Sequence, residues 1–202
     1  MKKLLPLLVF LSACSTSPTP PLKTLPAKEQ KIINSCMTCH APNSQVKGPN
    51  LNGLEKWYLK EQAKHFHRGV RGGSAENIKA HMMYKTIQPF KEKEVKRAAA
   101  WFAGQERTVK AGSIEGNAKK GEELYKAQCY RCHNHKIGKL FSRSPSLNKL
   151  EAWYYLEQMR NFKKGIRGKH KDDEHGIRMV EAVEKLTDQD FKDIGAYLYP
   201  AK

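Results

Sequence analysis

Cys36-Met37-Thr38-Cys39-His40 and Cys129-Tyr130-Arg131-Cys132-His133 are one pattern, C-x-x-C-H, written twice. It is the attachment pattern of a covalently bound c-type haem. Two thiols three positions apart can each add to a vinyl group of the porphyrin. The His that follows at once then lies under the ring as proximal ligand to the iron. A C-x-x-C alone is shared by redox dithiols, half zinc sites and disulfides. A zinc site here would need the two pairs to converge across most of a domain, and would leave His40 and His133 idle. Two covalent haems use all six residues. The fifth cysteine, Cys14, stands apart near the N-terminus, so none remains for a structural disulfide.

A shift of 96 residues lays Gly48–Gly104 on Ser144–Pro200 without a gap, and 13 of the 25 positions in Gly48–Gly72 are identical. Pro49/Pro145, Leu51/Leu147, Asn52/Asn148, Trp57/Trp153, Tyr58/Tyr154, Gln62/Gln158, Phe66/Phe162, Gly69/Gly165 and Arg71/Arg167 are among them. The chain is a duplicated domain, since self-similarity at a fixed period marks repeated structural units. Each copy reads as helices. Lys28–Cys39 and Ala118–Cys132 enter the haem motifs. Glu55–Arg68 and Glu151–Lys164 follow, with apolar residues at helical spacing (Leu59, Ala63, Phe66; Tyr155, Met159, Phe162) and a glycine beyond their basic ends. Lys91–Ala103 and Asp188–Leu198 close the domains. Thr187 and Asp190 suit a capping box at the second of these, and the first lacks one. No alternating β pattern occurs, so the fold class expected is all-α.

Met1–Ala13 has Lys2 and Lys3 ahead of an apolar run, Leu4 to Leu11, too short to span a bilayer and suited to a secretory signal. Leu11-Ser12-Ala13-Cys14 resembles the bacterial lipobox, in which Cys14 becomes the lipidated first residue. The alternative is a soluble periplasmic protein with a spare thiol. Several acyl chains suffice for stable anchoring. Ser15 after the cysteine leans towards the outer membrane of a Gram-negative bacterium. Ser15–Pro26, with four prolines, reads as a stiff, unstructured tether. The expected organisation is therefore residues 1–13 signal peptide, 14–26 lipidated cysteine and tether, 27–104 first domain, 105–117 linker, and 118–202 second domain. The formal charge of +17 becomes +15 without Lys2 and Lys3. Nucleic acid fits such a charge but not the compartment; acidic patches on protein partners, or anionic lipid, fit both.

A haem with only the proximal His keeps an open face, whereas a second protein ligand favours electron transfer. Met83 and Met179 share a register, each seven residues before an apolar residue (Phe90, Leu186), and are the distal candidates. Met82 competes with Met83. His81 and His175 offer a bis-His alternative, and His65, His67, His135 and His170 read as surface residues in basic stretches.

Gly116–Tyr125 followed by Cys129 resembles the N-terminal helix of class I cytochromes c, and the whole chain from Ala27 onward resembles their duplicated dihaem, cytochrome c-four type. The resemblance implies two tandem domains of three to four helices around haem c. It implies that Gly121 permits a close crossing of first and last helices; domain one has Ile32 and Ile33 in that stretch instead. It implies that the carbonyls of Pro49 and Pro145, each in a Pro-x-Leu-Asn loop, accept the Nδ1–H of His40 and His133, and that the domains form a pseudo-two-fold pair. The function expected is a periplasmic electron carrier between respiratory or dehydrogenase partners and a terminal oxidase or reductase, with no small-molecule substrate. The alternative is a dihaem enzyme, a peroxidase or sulfur-compound oxidoreductase with one open haem. Arg131 within the second motif, where Thr38 stands in the first, places a cation beside the second haem and should raise its potential.

Overall fold

The computed structural model describes residues 19–42, 44, 48–108, 111–134 and 136–201. The expected signal peptide, Cys14 and His135 lie outside them. Domain one comprises α1 (Ala27–His40), α2 (Lys56–His67), α3 (Ile78–Ile87) and α4 (Glu92–Ala103). Domain two comprises α5 (Ala118–Gln128), α6 (Tyr130–His133), α7 (Lys136–Ser142), α8 (Ala152–Lys163), α9 (Glu174–Val183) and α10 (Asp188–Leu198). No strand occurs among the described residues.

The 96-residue register holds in three dimensions. α2 and α8, and α3 and α9, begin and end at equivalent positions. α2 buries Tyr58, Leu59 and Ala63, and α8 buries Tyr154, Tyr155, Met159 and Phe162. Beyond these helices Gly69 and Gly165 take φ of 71° and 67°, a left-handed turn that glycine enters without steric penalty. Gly72 and Gly168 then pass so close to the next helix that a Cβ would strike the carbonyls of Ala80 and Gly176. α3 and α9 were not among the helices expected. Asn77 and Asp173 start them by accepting the N–H groups of Ala80 and Gly176, both at 2.9 Å. The methionine candidates thus ride on helices, not loops.

The closing helices turn Val95, Ala98, Ala99 and Phe102 (α4) and Phe191, Ile194 and Ala196 (α10) into the cores. Thr187 and Asp190 form the expected capping box; at the start of α4, Glu94 reaches back to the Lys91 N–H at 3.0 Å, the reciprocal half of such a box. The terminal crossings differ. α10 packs chiefly on α5, where a Cβ on Gly121 would collide with the Asp193 carbonyl. α4 packs chiefly on α2, and α1 meets it through buried Ile32 and Ile33. The helix expected over Ala118–Cys132 breaks at Cys129, whose φ of −113° divides α5 from α6.

Two segments read as connections are held in place. Residues 19–26 were expected to be unstructured. Instead, Leu22–Thr24 forms a 3-10 turn, Leu22 and Leu25 pack on the core, and the Trp101 indole donates to the Pro20 carbonyl at 3.1 Å. Apolar side chains between the prolines account for the difference. In the linker, Arg107 donates to the carbonyls of Asn50 and Asn52, and Ile114 N–H to the Tyr199 carbonyl.

Candidate haem sites

Each C-x-x-C-H motif sits at the end of a helical segment; in domain one the spacing turns both cysteines and the histidine toward one cavity, and in domain two His133 lines the second. The first cavity, about 410 Å³, is lined by Cys36, Cys39, His40, Pro49, Phe66 and Met83, among others. The second, about 80 Å³, is lined by His133, Pro145 and Met179. Tyr155 and Met159 line it where domain one has Leu59 and Ala63. None of the four motif cysteines is paired in a disulfide. Burial pushes the Cys36 thiol up to about 11 and Cys129 up to about 12, with the neighbouring cysteine adding to each shift. Such thiols make poor redox dithiols, because the thiolate is the reactive form.

The histidines are oriented as the resemblance implied. His40 Nδ1 lies 2.7 Å from the Pro49 carbonyl and His133 Nδ1 lies 2.7 Å from the Pro145 carbonyl. A carbonyl can only accept, so Nδ1 carries the proton and Nε2 is left bare. His133 Nε2 is buried with no hydrogen-bond partner. Burial lowers the pKa of both rings, keeping them neutral, the form that ligates a metal. A close-approaching residue guards the first site: a Cβ on Gly48 would come within 2.9 Å of the His40 ring. Domain one sets paired thiols and a neutral imidazole on one cavity, and domain two repeats the motif with an orphaned His133 Nε2; both donor sets fit a haem c.

Met83 is half-buried against the core and lines the first cavity, which Met82 also reaches although 55% exposed. Met179 is half-buried at the equivalent position in the second. His81 Nδ1 lies 2.9 Å from the Gly72 carbonyl, and its ring packs on Tyr84. His175 lines the second cavity one helical turn before Met179, its Nδ1 buried without a partner. His65 is not a surface residue. It is 5% exposed, with Nε2 3.1 Å from Glu61 and Nδ1 3.7 Å from Asp173 of the other domain. The basic stretch around it concealed that the helix turns this one position inward. His67 is also engaged, its Nε2 2.9 Å from the Phe90 carbonyl.

The cavities meet across a pseudo-two-fold interface. Tyr154, Gln158 and Arg167 of domain two line the first cavity; Tyr58, Gln62 and His65 of domain one line the second. Arg71 donates to Gln62 at 2.7 Å and across to Gln158 at 2.8 Å, while Arg167 donates to Gln158 at 2.9 Å and across to Gln62 at 3.0 Å. Each guanidinium lies over a phenylalanine, Arg71 on Phe66 and Arg167 on Phe162, both 4.5 Å from the ring centroid. Sequence reasoning gave these residues no role. Their identity in both copies was the signal.

The cytochrome c family model matches residues 27–105 and again 118–201. The chain belongs to the cytochrome c family. It carries two covalently bound haem c groups, on Cys36/Cys39 and Cys129/Cys132. Among solved structures, this cytochrome is similar to reduced recombinant cytochrome c4 from Pseudomonas stutzeri, at 25% identity and a TM-score of 0.66, over 85% of this chain and 95% of that one. It is similar in fold to cytochrome c4 from Acidithiobacillus ferrooxidans, at 21% identity and a TM-score of 0.61, over 82% and 98% of the two chains. It also resembles in fold thiosulfate dehydrogenase from Marichromatium purpuratum, at 20% identity and a TM-score of 0.60, over 83% of this chain but 36% of that one. No curated protein matches. The dihaem class I reading and the all-α fold stand, and the chain is an electron-transfer cytochrome.

Proposed function

We propose that this cytochrome is a periplasmic two-haem relay, tethered to a bacterial membrane through a lipidated Cys14, that passes single electrons between protein partners. The observation that carries the reading is that the two haem sites open towards each other, each lined by side chains of the opposite domain. An electron entering at one site then has a short path to the other. His40 with Met83 and His133 with Met179 would hold the two irons. The partial burial of Met83, against 55% exposure of Met82, supports the choice between the neighbours. His175, four residues before Met179, is the competing ligand in domain two; a methionine-to-ferric-iron charge-transfer band from both haems would exclude it.

Haem supplies the one-electron chemistry; the chain supplies the rest. The thioethers fix the ring, and the Pro49 and Pro145 carbonyls hold each imidazole neutral and correctly turned. The Leu, Phe, Tyr and Met side chains exclude water from the cavity. The basic surface steers docking to acidic partners. Among the described residues no helix is long and apolar enough to cross a membrane. In this reading the lipobox-like Leu11-Ser12-Ala13-Cys14 gives membrane attachment to Cys14, with the outer membrane favoured by Ser15.

An enzymatic reading draws on the thiosulfate dehydrogenase likeness, which at 20% identity is one of fold. Coulometric titration of the purified holoprotein, with and without thiosulfate, separates the two. Reversible uptake of two electrons per chain and no reduction by thiosulfate is the expected result. Rapid catalytic reduction by thiosulfate would overturn the carrier reading.

A further inference from the structure

The peptide unit that orients each proximal histidine is gripped from behind by the other domain. The Pro49 carbonyl faces His40 Nδ1 at 2.7 Å, and the N–H of that same peptide, belonging to Asn50, donates to Glu151 Oε2 at 2.6 Å. In domain two the Pro145 carbonyl faces His133 Nδ1 at 2.7 Å, and the Ser146 N–H donates to Glu55 Oε1 at 3.1 Å. Glu55 and Glu151 are equivalent in the 96-residue register, as are Asn50 and Ser146. The contacts are therefore a reciprocal exchange across the pseudo-two-fold axis.

We infer that Glu151 tunes the haem of domain one and Glu55 that of domain two, each through one peptide unit of the opposite domain. A carboxylate accepting from a peptide N–H polarises that peptide, making its carbonyl oxygen a stronger acceptor, because hydrogen bonds in a chain reinforce one another. The imidazole N–H it receives is drawn further from the ring, and the ring becomes a stronger donor through Nε2. The carboxylate charge, in a partly buried setting, acts in the same direction. Both effects favour ferric iron and lower the potential of the haem in the facing domain. The exchange also ties the two potentials to domain docking: separating the domains would release both relays together. Arg107, whose guanidinium reaches the Asn50 and Asn52 carbonyls and lies near both glutamates, moderates the effect. It sits on the domain-one loop, so the shift through Glu55 should be the larger. Trp153 Nε1, 3.2 Å from Glu151 Oε1, holds that carboxylate in its own domain.

The inference rests on His40 and His133 being iron ligands. Glu151→Gln and Glu55→Gln keep a side-chain acceptor of the same length and remove the charge. Potentials of the full-chain holoprotein should be read haem by haem, with waves assigned through the hyperfine-shifted haem methyl resonances. Glu151→Gln should raise the potential of the Cys36/Cys39 haem and move its His40 Nδ1–H resonance, leaving the other haem much less affected. Glu55→Gln should do the converse. Shifts confined to the haem in the mutated residue's own domain, or equal shifts of both haems in each variant, would overturn the inference. So would unmoved potentials. If one variant does not fold, the other carries the test alone. Wild-type spectra without histidine-ligated low-spin haem would instead sink the ligand assignment, a separate failure.

Discussion

His65 shows how a single buried ring couples the domains to pH. Burial lowers its pKa, against the pull of the Asp173 and Glu61 carboxylates, which raise it. The unfolded ring titrates near 6.5, so in this range the unfolded chain binds more protons than the folded one. Stability contributed by neutral His65 is thus fully present above about pH 6.5 and is lost as pH falls through the lowered folded value. Thermal midpoints measured between pH 7 and pH 5 should fall, and His65→Asn, which copies the equivalent Asn161, should flatten that decline. Arg131 poses a different question at the same scale. Its side chain is exposed beside the second haem motif, where solvent and salt screen its charge. Arg131→Thr should lower the domain-two potential, by more at low ionic strength than at high, and spectropotentiometry at two salt concentrations reads both. Cys36, Cys39, His40 and their counterparts were legible in the sequence because covalent haem attachment needs adjacent residues. His65 was not, since its burial depends on Asp173, more than a hundred positions away.

The crossing of first and last helices distinguishes the two domains. In α5, Gly121 lets α10 approach until backbone meets backbone; Gly121→Ala should force the pair apart and destabilise domain two by about 1–3 kcal/mol, as overpacked contacts do. Domain one solves the crossing with side chains, so Ile33→Ala should cost about 2–5 kcal/mol there through an unfilled cavity. Denaturant midpoints of the two variants, followed at each haem's Soret signal, would show the losses in different domains. α2 and α8 were readable from apolar periodicity, and α4 and α10 were also expected. α3 and α9 were not expected. Ile78 is 74% exposed and the apolar spacing of α3 is broken, so its face is set by the haem cavity rather than by a stripe. The Asn77 and Asp173 caps were the available local signal.

At the scale of the whole molecule, duplication has produced an interface whose polar residues exchange partners across the axis. Arg71 and Gln158, buried, and Arg167 and Gln62, half-buried, form one hydrogen-bonded group, and Glu55 and Glu151 cross to the opposite proximal loops. Such residue types read as surface in a linear sequence, and only their retention in both copies hinted otherwise. The proposed relay requires that both irons be closed by protein ligands and carry electrons rather than bind substrate. Optical titration of the reduced holoprotein with carbon monoxide tests that requirement. Neither haem should change its spectrum at neutral pH. Met83→Ala should make the domain-one haem bind the gas, while Met82→Ala should not. Stoichiometric binding by one haem of the unmodified protein would contradict the proposal and identify an open site where the chain would act as an enzyme or a sensor.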